Sequence, residues 1–112
     1  MTNLKSLLAD LVGRFGAPAS IEGPALDASG QAHQLVLYKF DACPYCQRVM
    51  NFLRKHPIPV TYKDIRKEPA SRQELLQLGG KTQVPCLVID GKALYESADI
   101  VSYLSQYIQS TD

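Results

Sequence analysis

The sequence predicts a single α/β domain built on a mixed four-stranded sheet with flanking helices, preceded by one extra helix at the N-terminus. Its 112 residues are enough for one domain and leave little room for a second. From residue 35 onward, short apolar runs typical of strands alternate with segments of helical periodicity in the order β-α-β-α-β-β-α. One crossover between parallel strands followed by a terminal hairpin makes the expected sheet mixed.

Residues 1–34 are predicted to form an amphipathic N-terminal helix and a loose connector. Apolar side chains recur at helical spacing along one face of this helix, namely Leu4, Leu7, Leu8, Leu11, Val12 and Phe15. Gly16 is in position to end the helix, and the connector after it is rich in Gly, Ala, Pro and Ser. We expect the apolar face to pack on its own domain or on a second copy of the chain. A membrane surface is the weaker alternative, because Lys5 and Arg14 alone make a poor basic face.

The main domain is predicted to span residues 35–112 and to open with a strand, a helix and a second strand. Residues 35–40 form an apolar run that indicates a buried strand, and a helix is expected over 44–56. Prolines directly after this helix stop it, because proline lacks a backbone N–H and clashes with the preceding turn. The pattern over 60–65 predicts the second strand.

The rest of the domain is predicted to contain a helix, a hairpin and a terminal helix. The helix over 70–78 ends at two consecutive glycines. The apolar run 84–89 and the strand 92–95 flank an Asp-Gly dipeptide, which is a strong hairpin signal. The last helix, over 97–109, has one apolar face formed by Ile100, Val101, Leu104 and Ile108.

The composition argues against several classes of protein. Twelve basic and eleven acidic side chains give a formal charge of +1, whereas a nucleic-acid-binding surface normally shows as an excess of Lys and Arg. No apolar stretch reaches the roughly 20 residues that span a bilayer, and the N-terminus lacks the pattern of a secretory signal. We therefore expect a cytoplasmic protein with no nucleic-acid partner, and the composition disfavours a membrane partner.

Two of the three cysteines form the motif Cys43-Pro44-Tyr45-Cys46 at the junction between the first strand and the first helix. Cys43 falls at or next to the helix N-cap, where unpaired backbone N–H groups and the helix dipole favour its thiolate. Pro44 suits the first helical position, because its missing N–H has no intrahelical partner there. Lys39 lies shortly before the motif and would add positive charge near the thiolate.

The two cysteines are expected to differ in exposure, with Cys43 at the mouth of the site and Cys46 directed inward. Cys46 continues an apolar stripe at helical spacing, formed with Val49, Met50 and Leu53. An attacking thiolate beside a shielded partner is the arrangement that thiol–disulfide exchange requires. The motif therefore favours a catalytic role in redox chemistry.

A zinc site is the rival interpretation of the motif. A structural zinc ion needs four ligands, typically with a second pair at close spacing. The other candidate ligands are scattered along the chain: His33, His56 and Cys86. We therefore expect no metal, and we expect Cys86 to pack as a small hydrophobic residue in a core strand.

The motif, together with Val84-Pro85 before a later strand, resembles dithiol glutaredoxins over about residues 35–108. The resemblance implies a thioredoxin fold and glutathione-dependent thiol–disulfide oxidoreduction, with Cys43 attacking and Cys46 resolving protein disulfides. It also implies roles in electron transport and cell redox homeostasis, with glutathione as a co-substrate and no tightly bound cofactor. Its partners would be glutathionylated or disulfide-containing proteins, and the chain would be a monomer or a weak dimer.

Several residues match glutathione-binding positions of that family. Pro85 corresponds to the cis proline that faces the active cysteine, and Val84 to the residue whose backbone holds the cysteinyl part of glutathione. Tyr45 is likewise expected to contact glutathione. The glycine carboxylate is expected to meet three basic side chains, those of Lys39, Arg72 and Lys81. One departure is Gln83, which stands where glutaredoxins usually have Thr.

The segment before the last helix is similar instead to the N-terminal domain of glutathione transferases. Glu96 and Ser97 match the pair that binds the γ-glutamyl end of glutathione in that family, with the serine at a helix N-terminus. Asp99 is expected to meet the γ-glutamyl amine, although Ala98 replaces the first of the two aspartates of glutaredoxins. Ser97 has a second interpretation, as the N-cap of the last helix.

Two functions of other classes stay open on the sequence. One is a non-catalytic module that binds glutathione, or that carries an iron–sulfur cluster ligated by Cys43 and glutathione across a dimer. Proline after the first cysteine disfavours the cluster by analogy with the family. The other is a partner-binding module that docks through its N-terminal helix.

Overall fold

The computed structural model describes residues 16–108, so the amphipathic helix predicted over residues 4–15 lies outside the described part of the chain. The elements within residues 16–108 are strands β1 (Ala25–Leu26), β2 (Ala32–His33) and β3 (Leu35–Lys39), helix α1 (Pro44–Lys55), strand β4 (Thr61–Asp64), helix α2 (Pro69–Gly79), strands β5 (Cys86–Ile89) and β6 (Lys92–Tyr95), helix α3 (Ser97–Leu104) and a 3₁₀ turn (Ser105–Tyr107). None of these helices is both long enough and apolar enough to cross a membrane.

The central sheet has four strands in the order β4-β3-β5-β6. Strands β3 and β4 are parallel, with α1 as their crossover, whereas β5 is antiparallel to both β3 and β6. Strand β3 is central, because Leu37 pairs with Tyr62 on one side and with Leu87 on the other. The mixed four-stranded sheet predicted from the sequence is confirmed. With three helices packed on this sheet, the chain has a thioredoxin-like α/β fold.

A hydrophobic core lies on each face of the sheet, because successive side chains of a strand point to opposite faces. On the first face, β3 and β5 meet the inward sides of α1 and α3 through Leu35, Leu37, Cys46, Val49, Met50, Leu53, Leu87, Ile100 and Leu104. On the second face, α2 inserts Leu75 among Tyr38, Cys86 and Val88. Helix α1 therefore buries the stripe that its sequence predicts, and its N-terminus is held rigidly above the end of β3.

Strand β5 starts later than the apolar run that predicts it. The Val84–Pro85 peptide bond is cis, and Pro85 has no N–H to donate to a neighbouring strand. The ladder accordingly begins at Cys86, which pairs with Tyr38 on β3. Val84 and Pro85 are left at the end of the sheet, beside the start of α1.

The terminal helix ends earlier than predicted, at Leu104 instead of residue 109. The chain tightens there into the 3₁₀ turn, in which the Ser105 hydroxyl donates to the carbonyl oxygen of Ser102 at 2.6 Å. The N–H of Ile108 then donates to the carbonyl oxygen of Ser105 at 3.2 Å. Such side-chain bonds to the backbone compete with continuation of a helix.

The expected loose connector is ordered over residues 25–33, because β1 and β2 form a short antiparallel ladder. Asp27 closes the turn between them, since its Oδ1 accepts hydrogen bonds from the N–H groups of Ser29 and Gln31 at 2.9 and 3.0 Å. Ala25 is buried in the core on the α1 face. Two-residue strands leave no hydrophobic periodicity in a sequence, which is why the ladder was not predicted.

His33 connects the β1–β2 ladder to the main sheet through its two ring nitrogens. Its Nδ1 lies 2.7 Å from Oδ2 of Asp90 in the β5–β6 turn, and its Nε2 lies 2.8 Å from Oδ2 of Asp27. Both ring nitrogens donate only when the imidazole is protonated, and the hydrogen bonds with Asp90 and Asp27 raise the pKa of His33. Hydrogen bonds from Ser29 and His33 lower the pKa of Asp27, and those from Gln34 and His33 lower the pKa of Asp90.

The contact of His33 with Asp27 and Asp90 predicts a pH-dependent contribution to stability. Because the pKa of His33 is raised by folding, its contribution is complete below the unfolded value of about 6.5 and is lost as pH rises through the folded value. Because the aspartate pKa values are lowered, their contribution is complete above about pH 4 and is lost under more acidic conditions. The melting temperature of His33→Gln should fall furthest below wild type between these limits and approach it at alkaline pH. His56→Gln, at the exposed end of α1, is the control, and a deficit in His33→Gln that does not change with pH would contradict the account.

Candidate active site

Cys43 is the N-cap of α1 and stands directly after the loop that leaves β3. Its N–H donates to the carbonyl oxygen of Phe40 at 3.2 Å, which fixes the loop against the helix. Its Sγ accepts a hydrogen bond from the N–H of Cys46 at 3.4 Å, and Pro44 occupies the first turn. The sulfur thus receives one of the helix N–H groups that have no intrahelical partner, and this bond stabilises negative charge on it.

Cys43 is much less exposed than the sequence predicts, so the prediction that it lies open at the mouth of the site is wrong. Cys43 is only 6% exposed, because it packs in the core on the α1 face together with Cys46, which is fully buried. Burial raises the pKa of Cys46 to about 12, and the neighbouring Cys43 sulfur adds to this effect. Cys46 is therefore a neutral thiol near pH 7, while the Cys43 sulfur accepts a hydrogen bond at the helix N-terminus.

Five of the predicted glutathione-binding residues meet in one groove beside Cys43. The groove has a volume of about 430 Å³, and its lining residues are Tyr45, Gln83, Val84, Pro85, Glu96 and Ser97. Tyr45 is 63% exposed and forms one wall. Gln83, which stands where glutaredoxins usually have Thr, is the sixth lining residue.

The end of the groove is formed by the start of α3. Glu96 precedes the helix with a φ of +74°, in a region that residues other than glycine seldom adopt. Its Oε1 accepts a hydrogen bond from Nε2 of Gln83 at 3.4 Å. Ser97 is buried and is the first helical residue, whereas the N-cap is Glu96, whose side chain makes no capping hydrogen bond. The alternative interpretation of Ser97 as the N-cap is therefore wrong, and its hydroxyl lies in the groove wall.

Arg48, which was not predicted from the sequence, lies next to this groove and lines a second cavity, between α1 and α3. Its Nη1 donates to Oγ of Ser97 at 3.4 Å, across the contact between α1 and α3. Arg48 is also an exposed side chain one turn after Tyr45 on the same helix, and residues three apart share a helix face. That spacing was the available signal, but Ser97 lies 49 positions away along the chain.

The sequence predicts that the ammonium group of Lys39 adds positive charge near Cys43, but in the structure this group is already paired with two carboxylates. Its Nζ lies 2.5 Å from Oδ1 of Asp41 and 3.4 Å from Oδ2 of Asp64, and the residue is only 5% exposed. Burial acts to raise the pKa of Asp41, but hydrogen bonds from Lys39 and Lys67 outweigh it and leave that pKa below its usual value. Lys39 therefore balances two carboxylates at the end of the sheet.

Three other predicted residues lie outside the groove lining. Arg72 in the first turn of α2 and Asp99 in the first turn of α3 are both exposed. The Nζ of Lys81 stands 4.3 Å from the centre of the Tyr95 ring, a cation–π contact. Their assignment to the ends of glutathione stays a prediction.

Cys86 belongs to a different part of the molecule. It is fully buried in β5 on the α2 face of the sheet, and burial raises the pKa of its thiol. Across residues 16–108, no three His, Cys, Asp or Glu side chains converge in a geometry that would hold a metal ion.

Relatives of known identity support a glutathione-related fold. Residues 37–108 match the family described as glutathione S-transferase, N-terminal domain. The prostaglandin E synthase 2 of Danio rerio is 36% identical over 80 residues, which cover 70% of this chain and 20% of that protein. The chain spans about one fifth of the length of the curated relatives it matches.

Two solved structures are similar to this chain in fold. A glutathione transferase homologue from Drosophila mojavensis with bound glutathione superposes with a TM-score of 0.57 at 27% identity, covering 67% of this chain and 36% of that one. A glutaredoxin from Archaeoglobus fulgidus shares the fold with a TM-score of 0.53 at 20% identity, covering 62% of this chain and 83% of that one. Since the family match covers well over half of the sequence, the chain belongs to the glutathione S-transferase N-terminal domain family.

Proposed function

We propose that the protein is a glutathione-dependent thiol–disulfide oxidoreductase of the dithiol glutaredoxin type, built on a glutathione transferase N-terminal domain. The observation that carries this proposal is the position of Cys43, whose sulfur takes a helix N–H at the start of α1, two residues before Tyr45 in the groove lining. A transferase that only binds glutathione needs no second cysteine. Here Cys46 lies in the next turn of the same helix with its thiol protonated.

Reduction of a glutathionylated protein needs Cys43 alone. The Cys43 thiolate attacks the glutathionyl sulfur of the mixed disulfide, so that a Cys43–glutathione disulfide forms and the substrate leaves as a thiolate. A free glutathione thiolate then attacks this new disulfide. Oxidised glutathione leaves, and the Cys43 thiolate is regenerated with no net change in the enzyme.

Reduction of a protein disulfide needs both cysteines. Cys43 attacks one substrate sulfur and releases the other as a thiolate. Cys46 then gives up its proton and attacks the Cys43 sulfur, which releases the reduced substrate and leaves a Cys43–Cys46 disulfide. Two glutathione molecules reopen that bond in succession and depart as one oxidised glutathione, so two electrons pass from glutathione to the substrate.

The groove supports binding of glutathione along its length. The backbone of Val84 stands at the end of β5 beside the cis Pro85 bond, where an extended peptide would align with it. Glu96 and Ser97 close the far end. The glycine carboxylate would face the basic side chains outside the groove, for which Arg72 and Lys81 are the exposed candidates.

A glutathione-coupled disulfide reductase assay tests the proposal. Wild type should turn over a glutathionylated peptide, and Cys43→Ser should lose at least about a thousandfold in rate, because a serine hydroxyl is not ionised near neutral pH. Cys86→Ser is the matched control, since it removes a buried cysteine on the opposite face of the sheet. A wild-type protein that binds glutathione without Cys43-dependent turnover would support the non-catalytic glutathione-binding alternative instead.

A further inference from the structure

We propose that Tyr95 is a positioning residue that holds the loop between α2 and β5 in place as one wall of the groove, and that Gly79 is required to admit the Tyr95 hydroxyl. This inference rests on the proposed function, since it takes glutathione as the ligand of the groove. Tyr95 is not among the described residues that line the groove. Its effect on glutathione binding therefore acts through the loop.

The loop between α2 and β5 spans residues 80–85, and three of these residues line the groove. Its far end is fixed by the sheet, because the next residue, Cys86, pairs with Tyr95 in the ladder between β5 and β6. Across the groove, Nε2 of Gln83 meets Oε1 of Glu96 at 3.4 Å, which is long for a hydrogen bond. The near end of the loop therefore needs a further contact if the wall is to keep one position.

The side chain of Tyr95 supplies a contact to the near end of the loop. Its hydroxyl donates to the carbonyl oxygen of Lys81 at 3.2 Å, and Nζ of Lys81 stands 4.3 Å from the centre of its ring. Burial raises the pKa of Tyr95, so the hydroxyl keeps its proton for this bond at neutral pH. The ring itself packs against the hydrophobic core on the α2 face of the sheet. Lys81 is thus held by both its backbone and its side chain, two residues before Gln83.

The Tyr95 hydroxyl has room because residue 79 has no side chain. A Cβ atom on Gly79 would lie 1.8 Å from the hydroxyl oxygen and 2.8 Å from Cζ of Tyr95, closer than atoms that are not bonded can approach. The neighbouring Gly80 has a different role, because its φ of +81° makes it the left-handed C-cap of α2. Apart from its neighbours along the chain, no atom of residues 16–108 lies within 4 Å of a Cβ built on Gly80. The two consecutive glycines therefore separate a close approach to Tyr95 from a helix cap.

A shift of the loop is expected to change glutathione binding without changing the reactivity of the thiol. The backbone of Val84, to which the proposed function assigns the cysteinyl part of glutathione, belongs to this loop. Cys43 belongs to α1, and its sulfur takes its hydrogen bond from the N–H of Cys46 on the same helix. Loss of the Tyr95 contact should therefore raise the dissociation constant of glutathione and leave the alkylation rate of Cys43 unchanged.

Titration calorimetry with S-methylglutathione tests the inference without any redox step. Tyr95→Phe removes the hydrogen bond to Lys81 and keeps the ring, so it should weaken binding by about three- to tenfold. Gly79→Ala displaces the whole Tyr95 side chain and should weaken binding by at least about tenfold. Tyr103→Phe is the matched control, because it removes a hydroxyl contact with Tyr107 outside the groove and should stay within about twofold of wild type. Alkylation of Cys43, followed by peptide mass spectrometry, should proceed at the wild-type rate in all three variants.

Two further variants separate loop positioning from a general loss of stability. Gly80→Ala strains the cap of the same helix without reaching Tyr95, so its melting temperature should fall while its affinity for S-methylglutathione stays within about twofold of wild type. In the Tyr95→Phe background, the penalty of Gly79→Ala should be at least about threefold smaller than in wild type, because the hydroxyl that collides is gone.

Three results would overturn the inference: Tyr95→Phe that binds S-methylglutathione like wild type, Gly80→Ala that loses as much affinity as Gly79→Ala, or penalties that simply multiply in the double variant. Tyr95→Phe alone decides the matter if Gly79→Ala does not fold. Because S-methylglutathione has no free thiol, these results stand whether or not Cys43 supports turnover, whereas absence of that turnover alone defeats the proposed activity. Wild type that does not bind S-methylglutathione would overturn the inference as well.

Discussion

Replacing Cys46 with serine is expected to abolish reduction of intramolecular protein disulfides while leaving deglutathionylation within about tenfold of wild type. The first reaction needs an internal thiol to release the substrate from Cys43, whereas the second ends with attack by free glutathione. Serine keeps the size of the buried side chain, and Cys46 packs with Val49 and Met50 in the core. Loss of disulfide reduction with deglutathionylation retained would therefore reflect the missing Cys46 thiol and not a folding defect.

Both activities of Cys46→Ser should be measured on one preparation, with a disulfide-bonded protein and a glutathionylated peptide as the two substrates. Cys86→Ser again serves as the control, because it is an equally buried cysteine to serine change. Equal loss of both activities in a folded Cys46→Ser protein would show that the monothiol part of the mechanism does not operate here.

Lys39→Met is expected to lower the free energy of unfolding by about 3 kcal/mol, because it removes the cation that Asp41 and Asp64 share and leaves Asp41 paired with the exposed Lys67. Removing one partner from a buried ion pair is costly, since the remaining charge stays out of water. The loss should shrink at acidic pH, where protonation of the Asp41 carboxyl group removes one of the negative charges that Lys39 balances. Urea unfolding at neutral and acidic pH measures both quantities.

Lys63→Met is the matched control for this prediction. Lys63 also pairs with a carboxylate, Glu74, at 2.6 Å, but the two side chains are 31% and 44% exposed. An exposed pair of this kind contributes at most about 1 kcal/mol. A Lys39→Met protein as stable as Lys63→Met, with a raised KM for glutathione, would contradict the paired role and support the glutathione contact predicted from the sequence.

The regular elements of the fold could be predicted because their signals are local. Strand β3 is an uninterrupted apolar run, and α1 combines a proline at its start with a stripe at helical spacing. The short ladder over residues 25–33 could not be predicted in the same way, because its order comes from His33 meeting Asp90 far along the chain. Single ion pairs between distant segments leave no periodic pattern.

The same difference between local signals and long-range contacts decides which parts of the candidate site could be predicted. The thiol pair and the Glu96-Ser97 segment are contiguous in sequence, and the motifs predicted both. Lys39 meets the nearby Asp41 and also Asp64, which is 25 positions away, and Arg48 meets Ser97, which is 49 positions away. A basic residue before the motif predicts positive charge near Cys43, but only the fold shows that two carboxylates already neutralise it. Long-range pairing of this kind is decided by tertiary packing, so a sequence pattern underdetermines which cations are free to bind a ligand.

The central claim, that Cys43 is the thiolate that accepts the glutathionyl group, is tested most directly by trapping that intermediate. Cys46→Ser protein would be mixed with a glutathionylated peptide in the absence of free glutathione, quenched with acid and analysed by intact-mass and peptide mass spectrometry. The account predicts one glutathionyl group per chain, attached to Cys43, with release of the reduced peptide. A protein that remains unmodified, or that carries the group on Cys86, would contradict it.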